Sequence, residues 1–230
     1  MSAPPGYADV AHRAAIDLEG AEPQEILAWA LDAFHPRFAL TTSLGDAVLI
    51  DMVSTLRAAI PVLFLDTGYH FAETMGMRAA VAARYPSRLL TITPRLTRDE
   101  QDVLYGPRLH DRDPDLCCRL RKVVPLDETL SQYVAWASGI RRDESEARRA
   151  VKVVDWDAQR DMVKVNPLAA WSQEDVDRYI AERGVLVNPL VDAGYPSIGC
   201  APCTQAVAVG EDARAGRWAG RPKVECGLHA

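Results

Sequence analysis

The sequence predicts an α/β fold, a mainly parallel sheet with helices on both faces. Two observations predict it. Short apolar runs of strand length alternate with stretches of about 10 to 15 residues carrying helical periodicity, the pattern of right-handed βαβ units. Hydroxyl residues and glycines sit where strands run into helices, the places where an open parallel sheet binds ligands. The 230 residues, 48% hydrophobic and 25% charged with a mean hydropathy of -0.11, suffice for a packed core without disulfides and exclude a disordered or fibrous chain.

The first 35 residues read as helical. Pro23 suits a first helical position, and Ile26, Leu27, Ala30, Leu31 and Phe34 recur behind it at helical spacing. Strands are then predicted over Phe38 to Thr42, Val62 to Leu65 and Leu89 to Ile92, separated by helices over Asp46 to Leu56 and Phe71 to Arg84. A helical segment around Asp99 to Leu104 precedes a polar stretch, Leu109 to Leu116. An amphipathic helix from Cys117 towards Leu130 and a strand over Tyr133 to Ile140 follow. Val151 to Val154 and Met162 to Val165 read as short strands, and Ser172 with Asp175 as a capping box opening a helix to Arg183. Beyond Gly184, prolines and glycines break the periodicity, and the rest reads as loop with one short helix at most. The organisation expected is a single domain over 1–230: N-terminal helices (1–37), an α/β core (38–184), then a loop and tail (185–230).

A net charge of -6, from 26 basic and 32 acidic residues, argues against nucleic acid or an anionic membrane as partner. The longest uncharged apolar stretch, Ala58 to Leu65, has eight residues and is broken by Pro61, so no membrane span is predicted. The N-terminus lacks a basic segment followed by an apolar one, and a cytoplasmic location is expected. Of the basic residues 22 are Arg and 4 are Lys, an excess of planar forks suited to anions.

Two strand-to-helix junctions are candidate nucleotide loops. Thr41-Thr42-Ser43-Leu44-Gly45-Asp46 offers hydroxyls and backbone N-H groups to a phosphate, although it matches no phosphate-loop motif. Leu65-Asp66-Thr67-Gly68-Tyr69-His70 offers a carboxylate at a strand end and a glycine that permits close approach. The cysteines are the stronger signal. Cys117-Cys118 and Cys200-Ala201-Pro202-Cys203, with 81 residues between them, supply four thiolates. Zinc and an iron-sulfur cluster both accept that set, and on the residues alone both stay open. Adjacent side chains in a helix diverge by about 100 degrees, which suits a larger cluster better than a tetrahedral ion. Cys226 remains, in Glu225-Cys226-Gly227-Leu228-His229. An unperturbed thiol with a pKa of about 8.5 is mostly protonated at neutral pH, so a nucleophilic Cys226 needs cations such as Arg214 or Arg217, or a donor such as His229.

In Leu65-Asp66-Thr67-Gly68, Cys117-Cys118-Arg119-Leu120-Arg121-Lys122, Gly139-Ile140-Arg141-Arg142, Gly199-Cys200-Ala201-Pro202-Cys203 and Glu225-Cys226-Gly227-Leu228-His229, the chain resembles the assimilatory adenylyl-sulfate reductases of the phosphoadenylyl-sulfate reductase family. The resemblance covers nearly all the chain from residue 38 and implies an adenine-nucleotide hydrolase-like fold. It implies one [4Fe-4S] cluster on Cys117, Cys118, Cys200 and Cys203, with Cys226 as the catalytic nucleophile. Substrate binding is implied for Ser43, Asp66, Thr67, Gly68, Lys122, Arg141, Arg142, Arg214, Arg217 and His229.

The activity implied is reduction of adenosine 5'-phosphosulfate to sulfite and AMP in sulfate assimilation and cysteine biosynthesis, with thioredoxin as reductant. Members using the 3'-phosphorylated substrate typically lack the cluster cysteines. The loop Ser43-Leu44-Gly45-Asp46 departs from the longer, more acidic Ser-Phe-Gly-Ala-Glu-Asp form common in relatives. A tRNA-thiolating enzyme of the same superfamily, disfavoured by the negative charge and the tail cysteine, and a noncatalytic zinc-stapled nucleotide-binding module are the competing readings. A homo-oligomer stays open.

Overall fold

The computed structural model describes residues 6–56, 60–208 and 210–229; Ala58 and Ala59 of the apolar stretch lie outside them. Among the described residues the helices are α1 (Tyr7–Asp17), α2 (Pro23–Phe34), α3 (Val48–Leu56), α4 (Ala72–Arg84), α5 (Arg98–Tyr105), α6 (Leu109–Arg112), α7 (Pro114–Cys118), α8 (Val124–Leu130) and α9 (Gln173–Arg183). The strands are β1 (Phe38–Thr42), β2 (Pro61–Leu65), β3 (Arg88–Ile92), β4 (Ala135–Ala137), β5 (Val154–Asp157) and β6 (Met162–Val165). They form one sheet in the order β3-β2-β1-β4-β6-β5, parallel except for the edge strand β5.

The chain builds outward from β1 through β2 to β3, then returns to lay β4 on the other side of β1. That reversal opens a crevice beyond the carboxyl ends of β1 and β4. Strand periodicity sorts the side chains into two cores. Phe38, Leu40, Val62, Phe64, Ala135 and Ala137 enter the larger, with residues of α1, α2, α3, α4 and α9. Ala39, Leu63 and Trp136 enter the smaller, with Leu126 and Leu130 of α8 and Leu228 of the tail packed against it. Among the described residues no helix is long and apolar enough to cross a membrane.

Several elements differ from the sequence expectation. The expected strand Tyr133 to Ile140 pairs only over Ala135–Ala137, because the chain leaves the sheet once Ser138 turns its hydroxyl onto Asn166 Oδ1 (2.9 Å). The strand expected at Val151 to Val154 begins at Val154 and runs on to Asp157. Its antiparallel register, Val154 opposite Val165 and Asp157 opposite Met162, is set by the turn between β5 and β6 and not by the valines. The polar stretch 109–116 contains α6 and the start of α7. Asp113 caps α7 by accepting the Leu116 N-H (2.9 Å), with Pro114 in its first turn, and Arg221 and Lys223 from the tail pair with Asp111 and Asp115.

The helix expected from Cys117 to Leu130 is interrupted by a π-helical turn at Arg119–Val123, a feature that often marks functional sites. The remaining segment after Gly184 holds one short 3-10 turn, Ala201–Cys203.

One buried amide ties the first strand-to-helix loop to the chain beyond α9. Leu44 has a left-handed backbone (φ 61), unusual for a branched residue. Asn188, fully buried, donates to Leu44 O (3.0 Å) and Thr74 Oγ1 (3.2 Å) and accepts from Leu190 N-H (3.1 Å). Asn188→Ala leaves these groups unpaired, so chemical denaturation should show a loss of about 1–3 kcal/mol. Val103→Ala, on the exposed face of α5, should stay within roughly 0.5 kcal/mol of the parent.

Candidate active site

A cavity of about 590 Å³ occupies the crevice beyond the strand ends. Thr41 and Thr42 at the end of β1 line it with Ser43, Gly45 and Asp46 beyond, as do Leu65 at the end of β2 with Thr67 and His70 beyond, and Ser138 to Arg141 after β4. The opposite wall comes from α9, the loop around Ser197 and the C-terminal tail, including Cys226, Leu228 and His229. Ser43 and Thr67 of the expected nucleotide loops therefore reach the cavity. Asp66 and Gly68 do not line it: the Asp66 carboxylate accepts the Gly68 N-H (2.9 Å) in the local turn. Gly68 has φ 73, and a Cβ there would stand 3.1 Å from Arg121 Nη2.

The cationic residues separate into two groups. Lys122, Arg141, Arg214 and Arg217 line the cavity. Arg142 does not; its guanidinium forks onto Glu19 (2.6 and 3.0 Å) and donates to Val151 O (2.6 Å), stitching the N-terminal helices to the core. Arg141 donates to Asp143 (3.0 Å) and Gln173 (2.5 Å). Arg217 spans Ser197 Oγ (3.3 Å) and Ile198 O (3.4 Å), leaving its buried Nε without a partner among the described residues. Arg217 lies so close to the chain that a Cβ on Gly199 would meet its Nη2 at 2.5 Å. Burial and the neighbouring Arg148 push the Arg214 pKa down, with Glu225 pulling the other way. An incoming anion relieves that strain on the charge.

The tail is held by charge and by stacking. Arg148 donates to both Glu225 oxygens (2.7 and 3.0 Å) and to Glu144 (2.5 Å), while Arg214 reaches Glu225 (3.1 Å) and Val224 O (2.9 Å). Gly227, with φ 81, then reverses the chain, a turn that favours glycine. Cys226 is left at the cavity wall while Leu228 enters the smaller core and His229 stacks on Trp136 (centroids 5.8 Å, planes 10° apart). Burial, followed by the charges of Lys164, Arg148, Arg160 and Arg214, holds the His229 pKa well below its ordinary value, so the ring is neutral at pH 7.

The remaining four cysteines line a separate recess with Tyr69, His110, Arg121, Lys122 and Trp218. Burial pushes the Cys117 thiol up to about 12 and the Cys118 thiol up to about 11, with neighbouring thiols adding to both. Four thiolates here need positive charge among them, which is what a cysteine-ligated metal group supplies. Among the described residues no three His, Cys, Asp or Glu side chains converge as ligands of one ion. A donor set in which each cysteine takes its own iron does not require such convergence.

Polar groups around the recess fit a sulfur-rich occupant. Thr67 Oγ1 lies 3.2 Å from Cys200 Sγ, and Trp218 Nε1 is buried without a partner among the described residues. Lys122, in the π turn, lines both recess and cavity. Burial works against its charge, but Cys200, Cys226 and Cys118 outweigh that and its pKa stands above the ordinary lysine value.

Residues 37–206 match the family model described as the phosphoadenosine phosphosulfate reductase domain. The chain belongs to the phosphoadenosine phosphosulfate reductase family. It is 58% identical to an adenosine 5'-phosphosulfate reductase of Streptomyces coelicolor, over 96% of this chain and 93% of that protein. It is 46% identical to the enzyme of that name in Mycobacterium tuberculosis, over 98% and 96% respectively. The crystal structure of a phosphoadenylyl-sulfate reductase from Candida auris, a phosphate complex, superposes with a TM-score of 0.75 at 30% identity, covering 86% of this chain and 97% of that one. An FMN adenylyltransferase from Candida glabrata, with a TM-score of 0.55 at 12% identity over 86% and 74% of the two chains, shares the fold alone.

Placing this family member's residues in space adds several that the motifs did not single out: Arg148, Glu144 and His70 in the cavity wall, and Trp136 and Lys164 beneath the tail. Arg148 was legible only as one of many arginines, because its partner Glu225 lies 77 residues away. His70 Nε2 donates to Leu65 O (2.8 Å), and burial lowers its pKa, so a neutral ring faces the cavity. The two arginine groups predict different outcomes. Arg148→Ala should weaken AMP binding about tenfold or more in calorimetry, as loss of a charge-assisted contact does. Arg142→Ala should leave AMP affinity within about twofold and lower only stability.

Proposed function

We propose that this enzyme reduces adenosine 5'-phosphosulfate to sulfite and AMP, with Cys226 as nucleophile and a thioredoxin-type dithiol as reductant. The observation that carries the reading is the placement of a tail thiol in the wall of the cavity that the strand-end loops and cationic side chains share. An anionic nucleophile approaching an anionic phosphosulfate meets repulsion, and Lys122, Arg141, Arg148, Arg214 and Arg217 offset it. Guanidinium forks suit both phosphate and sulfonyl oxygens.

In the first step the Cys226 thiolate attacks the sulfonyl sulfur. The bond from sulfur to the phosphate oxygen breaks, AMP departs with that electron pair, and Cys226 carries a sulfonate. A thiolate of the reductant then attacks Cys226 Sγ, and sulfite leaves with the electron pair of the sulfur-sulfur bond. The reductant's second thiol attacks the resulting mixed disulfide, restoring Cys226 as thiol and leaving the reductant as its disulfide. Two electrons have passed from the dithiol to sulfur. The N-H and O-H donors of Ser43 and Thr67, which line the cavity, are assigned to the nucleotide. His229, neutral and buried beside Cys226, is assigned to the sulfonyl end.

Cys117, Cys118, Cys200 and Cys203 would hold a [4Fe-4S] cluster, which when bound supplies an electrostatic field at the sulfate through Lys122, the side chain common to recess and cavity. Oxygen-free preparations of Cys200→Ser should lose most of their iron, measured by metal analysis, whereas Cys226→Ser should retain it. Stoichiometric zinc in the parent protein would support the zinc-stapled reading instead.

Sulfite release should have a higher kcat/KM with adenosine 5'-phosphosulfate than with its 3'-phosphorylated analogue, the substrate class named for the Candida auris structure. Cys226→Ser should abolish release while keeping AMP affinity, because a hydroxyl is a far poorer nucleophile at neutral pH. Preference for the 3'-phosphorylated substrate would reassign the substrate but keep the chemistry. Turnover by Cys226→Ser would remove the tail from the mechanism.

A further inference from the structure

Trp136 is fully buried in β4, the three-residue strand at the crevice, yet its indole N-H has no partner among the described residues. A buried tryptophan usually satisfies that donor. Its ring instead receives polar neighbours: the Lys164 ammonium at 5.2 Å and the Arg160 guanidinium at 5.5 Å from its centroid, besides the parallel His229 imidazole at 5.8 Å. Arg160 is itself pinned by Asp127 (2.7 Å) and Asp157 (2.9 Å), so this side of the indole is framed by fixed groups.

The sheet imposes the position. Trp136 stands opposite Ala39 of β1 and Lys164 of β6, whose side chains share its face. Alanine on one side leaves room, and lysine on the other supplies a cation. His229 is the last described residue of a tail that is otherwise loop from Arg221 onward. Gly227 turns the chain so that Cys226 remains in the cavity wall while His229 lies against the ring.

We propose that Trp136 is the positioning residue of the tail: its indole seats His229, and that seat, three residues beyond the nucleophile, holds the Cys226 thiol at the cavity. Glu225 on Arg148 anchors the other side of Cys226, so the reactive thiol is bracketed by an ion pair and a ring stack. The neutrality of His229 suits the seat, because Lys164 and Arg160 already crowd the ring with positive charge. Trp136 also lines the cavity, and its positioning role is exercised through His229. The catalytic part of this inference rests on Cys226 being the reacting thiol. The seating part does not.

The test measures how fast iodoacetamide alkylates Cys226 in oxygen-free enzyme without substrate, followed by mass spectrometry of the tail peptide. Trp136→Leu and His229→Ala should each raise that rate about tenfold, a change commensurate with losing an aromatic pair and its packing. Trp136→Phe and His229→Phe, which keep two facing rings, should stay near the parent rate. The double variant Trp136→Leu/His229→Ala should be no faster than either single variant, since both remove the same contact. Trp136→Leu should lower kcat for sulfite release more than it raises KM, because the indole is one of many groups lining the cavity whereas the seat of the tail depends on it.

Equal alkylation rates in the parent and His229→Ala would overturn the seat. So would an additive double variant. Should Trp136→Leu fail to fold by circular dichroism, the His229→Ala and His229→Phe pair decides alone. An enzyme whose tail responds as described but which releases no sulfite from adenosine 5'-phosphosulfate keeps the seat and loses the proposed activity. Turnover with the same alkylation rate in the parent and every variant does the reverse.

Discussion

Like charges gathered in one buried place need a reason to stay, and that constraint organises this molecule. Lys122, Arg141, Arg148, Arg214 and Arg217 converge on a crevice made by the reversal of strand order. At an effective dielectric of about 20, two such charges about 4 Å apart repel by roughly 4 kcal/mol, comparable to a large share of a domain's stability. Carboxylates meet part of the repulsion: Glu225 is shared between Arg148 and Arg214, Glu144 is also on Arg148, Asp143 is on Arg141, and Asp46, Asp177 and Asp192 line the same cavity. Around Lys122 and Arg217 thiols and neutral oxygens stand instead. Lys122 and Arg217, without a carboxylate in ion-pair contact among the described residues, are the cations left to attract an anion.

Ion pairing also holds the tail over the cavity. A segment with little secondary structure and several glycines has scant reason to order itself. Here its carboxylate neutralises two buried arginines and Arg221 and Lys223 neutralise Asp111 and Asp115 on the far side. The pairs of Arg221 and Lys223 connect the tail that carries Cys226 to α6 and α7, the second of which holds the cysteine pair. Recess and cavity are thus neighbours that share one ammonium, Lys122, presented by a π turn.

Most of the core was legible because periodicity and burial agree there. β1 and β6 fall at their expected bounds, and α9 starts at its capping box, since each is specified by local pattern. Where long-range pairing decides, local pattern fails: β5 slides along the sequence to meet the turn before β6, and β4 is cut short by the crevice. The grouping of four cysteines was legible from their two paired motifs, and the fold brings all four to one recess. Arg142 and Arg148 show the limit of motif reading. The second arginine of the Gly-Ile-Arg-Arg motif turns outward to Glu19, whereas the one six residues later lines the cavity, because its partner Glu225 arrives from the tail. Trp136 was invisible for the same reason, its significance residing in what the tail lays on it.

The most direct test of the account is to mix the parent enzyme with adenosine 5'-phosphosulfate in the absence of any thiol reductant and weigh the C-terminal peptide. One sulfonate on Cys226, formed together with one AMP per chain and discharged as sulfite when a thioredoxin is added, is the result predicted. An unmodified Cys226 with sulfite already in solution, or a sulfonate on any of the other four cysteines, would contradict it.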